Sequence, residues 1–538
     1  MIVAGVDFGT LSVRVTCVDT DTGQVLSRAA APYELKRSVA DPLLGAQAHA
    51  DHMRALILAT RQACREGGID GRTITAIACD TTGSSVVMVD AELRPLADYY
   101  LWCDHRAHRE ATEITALARS ENLEALRWCG GTYSHEWGYA KVLHFLRHNP
   151  ALRSRFATAL EHCDMVAATL CGIHDLDELP RSLCAAGHKW MYGVAWGGLP
   201  PQDFLSRVDP LLEGINQKLR GRWLTSDAIA GYLSPQWAEQ LGLSAGIPVP
   251  VGAFDAHWDA VGAGARPHDV VNVVGTSTCI IAMAASDYQP VAGLCGVVPG
   301  SVLPGWTGIE AGQSATGDVF DAIARRNGLD LATAMDGYDG MPPGGTGLLR
   351  VNWDNGDRTI LVRSDLGALT LGWDLNHTAN DEIHAAIEGM AMHVHIIIDR
   401  IASGGSKAGR IINAGGVPQR NALLSQIYAD ILDREVYVPA TLPVGLGACI
   451  FAAMAAGAFP SFAEAQRKLC PRLEVFSPRQ ENRVGYDALF ALFSDVYFGF
   501  GDGRAFDVAS VLPRLRRMRI EAAPHRTVHP ASIAENAL

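Results

Sequence analysis

The sequence predicts an α/β protein built as two large domains around an interdomain cleft, and three observations carry that expectation. Its 538 residues are too many for one hydrophobic core. A strand–turn–strand opening at the N-terminus returns about half the chain later. Long stretches of helical period separate the two copies, which points to two related domains rather than a solenoid.

The elements follow in order. Ile2 to Asp19 reads as two strands around a tight Gly9-Thr10 turn, and Asp21-Thr22-Gly23 is a turn before a third strand. Cys79 to Ser85 is a strand running into a polar turn. Glu136 to His148 has helical spacing around Trp137, Leu143 and Phe145. Ile247 to Gly264 is a strand ending in Gly-x-x-Asp, with Asp255 as the acid, followed by a small-residue helix. The stretch Ala263 to His268 sets a boundary, giving domains 1–266 and 267–512. Val270 to Met283 repeats the opening around Gly275-Thr276-Ser277. Asp381 to Ala402 carries apolar residues at steps of three and four. Arg410 to Asp430 reads as strand, glycine pair Gly415-Gly416, then amphipathic helix. Beyond Leu512 the chain turns basic and polar, so 513–538 is expected to be a loosely attached tail.

Composition narrows the function. With 48% hydrophobic and 19% charged residues the chain is an ordinary globular protein. A formal charge of −13 disfavours nucleic acid and anionic membrane as partners. Twelve cysteines at irregular positions, with no C-x-x-C pair, read as free thiols in a reducing compartment. No leader-like or membrane-length apolar run is seen, so the expected location is the cytoplasm.

The two Gly-Thr turns suggest a chemistry. A glycine between strands lets backbone approach a ligand closely, and successive amides with hydroxyls form an anion site. One turn from each domain can hold a polyphosphate across a cleft. Asp7, at the end of the first strand, suits Mg²⁺ held through water. Each turn alone is equally a polar-capped hairpin; the matching pair favours a nucleotide. The Gly415-Gly416 junction permits close contact at a helix N-terminus. No Walker-type sequence occurs, which argues against a P-loop fold.

Asp7 to Arg14, Gly275 to Cys279 and Gly415-Gly416 together resemble the phosphate and adenosine motifs of the FGGY carbohydrate kinases, in the family's order from about Ile2 to Gly503. The resemblance implies the actin-like, ribonuclease-H-like double-domain fold, with ATP and Mg²⁺ as cofactors. It assigns Gly9, Thr10, Arg14, Gly275, Thr276, Ser277, Gly415, Gly416, Gln419 and Asn421 to the nucleotide and Asp7 to the metal. Leu11 departs from the polar residue many members carry there. The resemblance makes Asp255 the general base, with a helix cap as its alternative role and Asp259 as the rival carboxylate. Gly130 to Lys141, Ala185 to Lys189 and Gly308 to Ser314 are similar to the sugar-contacting segments of the branch acting on L-ribulose. By that likeness Lys189, Asp255, Glu310 and backbone near Val87 contact a ketose.

Bland alternatives stand beside these. Lys141 aligns with Trp137 and Phe145 and is read as snorkelling from an apolar stripe. Lys189 suits a solvated loop, and Glu310 a helix cap near Ser314 or an arginine partner. Trp102 to Arg106 reads either as cleft lining or as a structural Trp102 with a capping Asp104. The expected activity is ATP-dependent conversion of L-ribulose to L-ribulose 5-phosphate in L-arabinose catabolism. Another pentulose, D-ribulose or a xylulose, is the alternative within the class. An actin-like regulator or chaperone ATPase is the alternative outside it. The ketose and MgATP are the expected partners, together with a second copy in a homodimer.

Overall fold

The computed structural model describes residues 1–335 and 340–522. Five strands form the first sheet: β1 (Ile2–Phe8), β2 (Ser12–Asp19), β3 (Val25–Pro32), β4 (Ile74–Thr81) and β5 (Ala253–Phe254), in the order β5-β4-β1-β2-β3. Strands β1 to β3 form an antiparallel meander, while β4 and β5 add on parallel to β1. The turn between β1 and β2 is tight because Gly9 N donates to Ser12 O at 3.1 Å.

The second sheet contains β6 (Val270–Val274), β7 (Thr278–Ala284), β8 (Gly296–Pro299), β9 (Thr307–Gln313), β10 (Ile411–Ala414), β11 (Val436–Pro439) and β12 (Leu473–Phe476), in the order β8-β9-β7-β6-β10-β11-β12. Strands β6, β7 and β9 repeat the meander, and β10 and β11 repeat the parallel addition. The repeated opening in the sequence is therefore a duplicated sheet, flanked by β8 and β12.

Each copy ends in a helix after its last parallel strand. Asp255–Gly262 follows β5, and Leu446–Ala455 follows β11. These two helices lie between the sheets in one apolar cluster, which takes Val3 and Ala78 from the first sheet and Val271 and Ile412 from the second. Glycine lets them meet: a Cβ on Gly447 would lie 1.9 Å from Trp258 O. Trp258 stacks on Phe451 with ring centroids 4.2 Å apart.

The helix expected over Asp381 to Ala402 spans Ala379–Ser403, with Thr378 and Asp381 forming a capping box at its start. The expected loose tail needs correction. Residues 513–522 continue a helix, Val508–Ala522, that buries Val511, Leu515 and Ala522 and whose Arg519 pairs with Asp374. Apolar residues at positions 511, 515, 518 and 522 keep one face buried despite the run of arginines. The remainder, 523–538, lies outside the described residues. Among the described residues no helix is long and apolar enough to cross a membrane.

Candidate active site

The strand ends of the first sheet gather four carboxylates. Parallel pairing sets Asp7 of β1 beside Asp80 of β4, and β5 brings in Asp255 at the first position of its helix, with Asp259 one turn on. Asp7 is buried, and Arg14, its partner across the β1–β2 register, donates to Asp7 Oδ2 at 2.7 Å.

One guanidinium does not balance four acids. Burial, then the charges of Asp7, Asp259 and Asp255, push Asp80 well above the usual carboxylate range. Burial and the same neighbours raise Asp259. Asp255 is pushed up to about 7, by burial first and Asp7 second, against the opposing pull of the Ala256 amide and Arg14. That amide donates to Asp255 Oδ1 at 2.7 Å, so the residue tops its helix while its second oxygen remains available. Asp80 Oδ1 is buried with no hydrogen-bond partner. An all-oxygen, over-negative group with an orphaned carboxylate oxygen fits a hard divalent cation.

The two Gly-Thr turns close the first hairpin of each sheet. Thr10 Oγ1 accepts from Trp102 Nε1 at 3.1 Å, and Thr10 O accepts from Gln47 Nε2. On the second sheet Gly275 N donates to Ser277 O at 2.9 Å, and Gly317, opening a helix, packs so closely that a Cβ would lie 2.6 Å from Gly275 O. Gly415 holds φ +97° against the end of β6, where a Cβ would meet Val274 O at 2.4 Å, so only glycine suits it. Gln419 donates to Pro439 O. Asn421 caps the helix Ala422–Leu432 through the Leu424 amide. Both side chains thus have structural partners, and Gly415-Gly416 is what lies against β6.

A second polar group crosses between the halves. Lys189 Nζ donates to Glu310 Oε1 and Oε2 at 2.7 and 3.0 Å, the lysine ending the helix Leu183–Lys189 and the glutamate standing in β9. Burial opposes both charges, yet Lys189 holds Glu310 well below its ordinary range and Glu310 holds Lys189 above its own. Lys189 also lies 5.5 Å from the Trp137 ring and 5.4 Å from the Phe254 ring. His188 adds an imidazole 3.4 Å from Glu310 and bonds to His257 and Ser301. Phe254, the neighbour of Asp255 in the chain, lies under Lys189, and His257 bonds to His188, so the carboxylate group and the lysine pair border one another.

Other expectations resolve clearly. Lys141 does not snorkel: it is fully buried and donates to the carbonyls of Ser84, Tyr100 and Leu101 at 2.7, 3.2 and 2.8 Å. Asp104 anchors a turn through Gly45 N and Arg106, and Trp102 reaches the first Gly-Thr turn. The Val87 side chain is buried with Tyr99, Leu101 and Leu160, leaving only main chain for a ligand. Asp80 was expected only as part of a loop, Asp80 to Val87, that tunes the choice of pentulose; Glu136 and His188 lay in sugar-segment likenesses without a role of their own, and His257 and Arg358 carried none. Asp80 had a legible signal, an acid at a strand end like Asp7. Arg358, which reaches Glu136 at 3.6 Å from an irregular segment, had none.

Fold and site together define a two-lobed, actin-like phosphotransferase. Residues 2–262 match the N-terminal domain, and residues 270–456 the C-terminal domain, of the FGGY family of carbohydrate kinases. The chain is 33% identical over 525 residues to a ribulokinase of Vibrio parahaemolyticus, covering 88% of this chain and 92% of that protein. It is 32% identical to a ribulokinase of Halalkalibacterium halodurans, covering 96% and 97%. A xylulose kinase structure from Rhodospirillum rubrum superposes with a TM-score of 0.80 at 22% identity, over 96% of this chain and all of that one. The protein belongs to the FGGY family of carbohydrate kinases and is a ribulokinase-like sugar kinase.

Proposed function

We propose that the protein transfers the terminal phosphoryl group of MgATP to the terminal hydroxyl of a ketopentose, L-ribulose first among them, as a step of L-arabinose use. The observation that carries the reading is the position of Asp255, which opens its helix at the strand ends, next to Phe254 whose ring lies 5.4 Å from Lys189 Nζ. Asp7 and Asp80 would hold Mg²⁺, directly or through water, and the ion would offset phosphate charge. The Gly9-Thr10 and Gly275-Ser277 turns present amides and hydroxyls to the phosphates, and Gly415-Gly416 leaves room for the nucleoside. Lys189 and Glu310 offer a donor and an acceptor to sugar oxygens, a pairing that rejects ligands lacking those groups. Asp255 accepts the hydroxyl proton as the oxygen attacks, and its raised pKa suits a base working near neutrality. Free thiols throughout fit a reducing cytoplasm.

The test is a coupled assay of Asp255→Asn and the wild type over the four 2-ketopentose stereoisomers, beside nucleotide binding. The variant should bind ATP like the wild type and lose about 10² to 10⁴ in turnover. In the wild type, kcat/KM should fall on the acid side, because Asp255 must be ionised to accept a proton. Full turnover in the variant would remove Asp255 as base. Preference for another pentulose would move the substrate, and sugar-independent hydrolysis would favour a regulatory ATPase.

A further inference from the structure

At the rim of the lysine pair, two loops bring together His105, His135 and Glu136. One ligand atom from each residue lies within 4.8 Å of the others. His105 Nε2 is 3.9 Å from Glu136 Oε1, and the two imidazoles meet edge to face with centroids 4.6 Å apart. His135 Nε2 is buried without a hydrogen-bond partner, a costly state for a polar nitrogen. The loops are held by main chain and short side chains: His105 N donates to Leu43 O at 2.9 Å and Glu136 N to Ser134 Oγ at 3.2 Å.

We propose that His105, His135 and Glu136 form a binding site for a borderline divalent transition ion of the Zn²⁺ class. Two imidazoles and one carboxylate are a donor set that zinc takes while keeping a fourth position open. The hard cation of the strand-end group prefers oxygen alone, so the two sites select different ions. Ligand bonds of roughly 2 Å place tetrahedral donors about 3.4 Å apart. Side-chain rotations of an ångström or so therefore close the set, and the three residues are each partly exposed, leaving an ion a way in. Burial lowers the pKa of both imidazoles, which favours the neutral form that can ligate an ion. Arg358 Nη2, 3.6 Å from Glu136 Oε1, is a cation already drawn to the same carboxylate, and it orients that carboxylate from outside. Trp137, the next residue after Glu136, has its ring 5.5 Å from Lys189 Nζ, so the set lies close to the lysine pair.

Metal binding is measured on the full chain, freed of transition ions and kept in excess Mg²⁺ so that the strand-end carboxylates are filled. This readout is independent of catalysis, so it stands or falls apart from the sugar-kinase reading. Zn²⁺ titration should show a site that weakens at least about tenfold in His135→Gln and in His105→Gln. Co²⁺ bound to the wild type should give visible ligand-field bands without thiolate-to-cobalt charge transfer. The spectrum needs no variant, so a variant that misfolds leaves the test standing. Equal Zn²⁺ affinity in wild type and both variants overturns the proposal. So does a charge-transfer band, which would place the ion at the buried Cys184, His188 and His257 instead.

Discussion

Lys141 shows how far a single side chain can depart from its sequence pattern. Its spacing with Trp137 and Phe145 marks an apolar stripe, and the aliphatic stem obeys it, but the ammonium turns inward to three carbonyls. Burial lowers its pKa to about 8, still charged at neutral pH. Two of those carbonyls, Tyr100 and Leu101, precede the loop that carries Asp104 and His105, and the third, Ser84, belongs to the polar turn after β4. Lys141→Met should therefore cost about 3 kcal/mol, since it strands carbonyls rather than only removing a charge. Denaturant unfolding measures it, and a loss within experimental error would return Lys141 to the surface role. Periodicity could not reveal this, because it reports which face a residue occupies and not where its last atoms go. Asp7, Asp255, Lys189 and Glu310 were legible because a motif names the residue. Arg358 was not, since nothing local in sequence ties it to Glu136.

At the scale of elements, parallel pairing of β1, β4 and β5 lines up their ends and makes acid crowding unavoidable. The electrostatic cost has a definite sign. Asp80 binds its proton more tightly folded than unfolded, so the metal-free fold loses stability as pH rises from the unfolded carboxylate pKa toward the raised folded value. Asp80→Asn should raise the melting temperature of the metal-free protein at pH 7 and change it less at pH 4. Mg²⁺ should stabilise the wild type more than the variant. Thermal unfolding with and without Mg²⁺ decides it; an unchanged melting temperature in the variant would show that Asp80 stands outside the acidic group. The paired openings at Asp7 and Gly275 announced the two meanders in advance. The strands β8 and β12 that flank the second sheet were not foreseen, because short edge strands carry too few alternating residues to be read.

At the scale of the molecule, the described residues of the two halves touch both between the sheets and near Lys189, and the two contacts differ in character. Between the sheets the contact is apolar and glycine-tight. Near Lys189 it is a narrow lip, where a Cβ on Gly187 would lie 2.2 Å from a methyl of Val298 and where Gly293 N donates to Gly130 O at 3.1 Å. Bulk at the lip should hold it apart without disturbing the sheets. Gly187→Val should raise KM for the sugar at least about tenfold, while ATP binding and the melting temperature change little. Steady-state kinetics beside nucleotide titration checks this, and an unchanged sugar KM would mean that the lip does not govern access. The helix Val508–Ala522 was illegible at this scale too, since four arginines outweigh its thin apolar face in any compositional reading.

The apolar layer shared by Trp258, Phe451 and both sheets has one more implication. Duplication usually suggests separable modules, yet here each copy donates its last helix to a seam belonging to neither. Severing the chain near position 266 would leave each fragment with a raw greasy wall and no complement. The repeat thus does not divide the molecule into independent modules, and the two copies should melt as a single body.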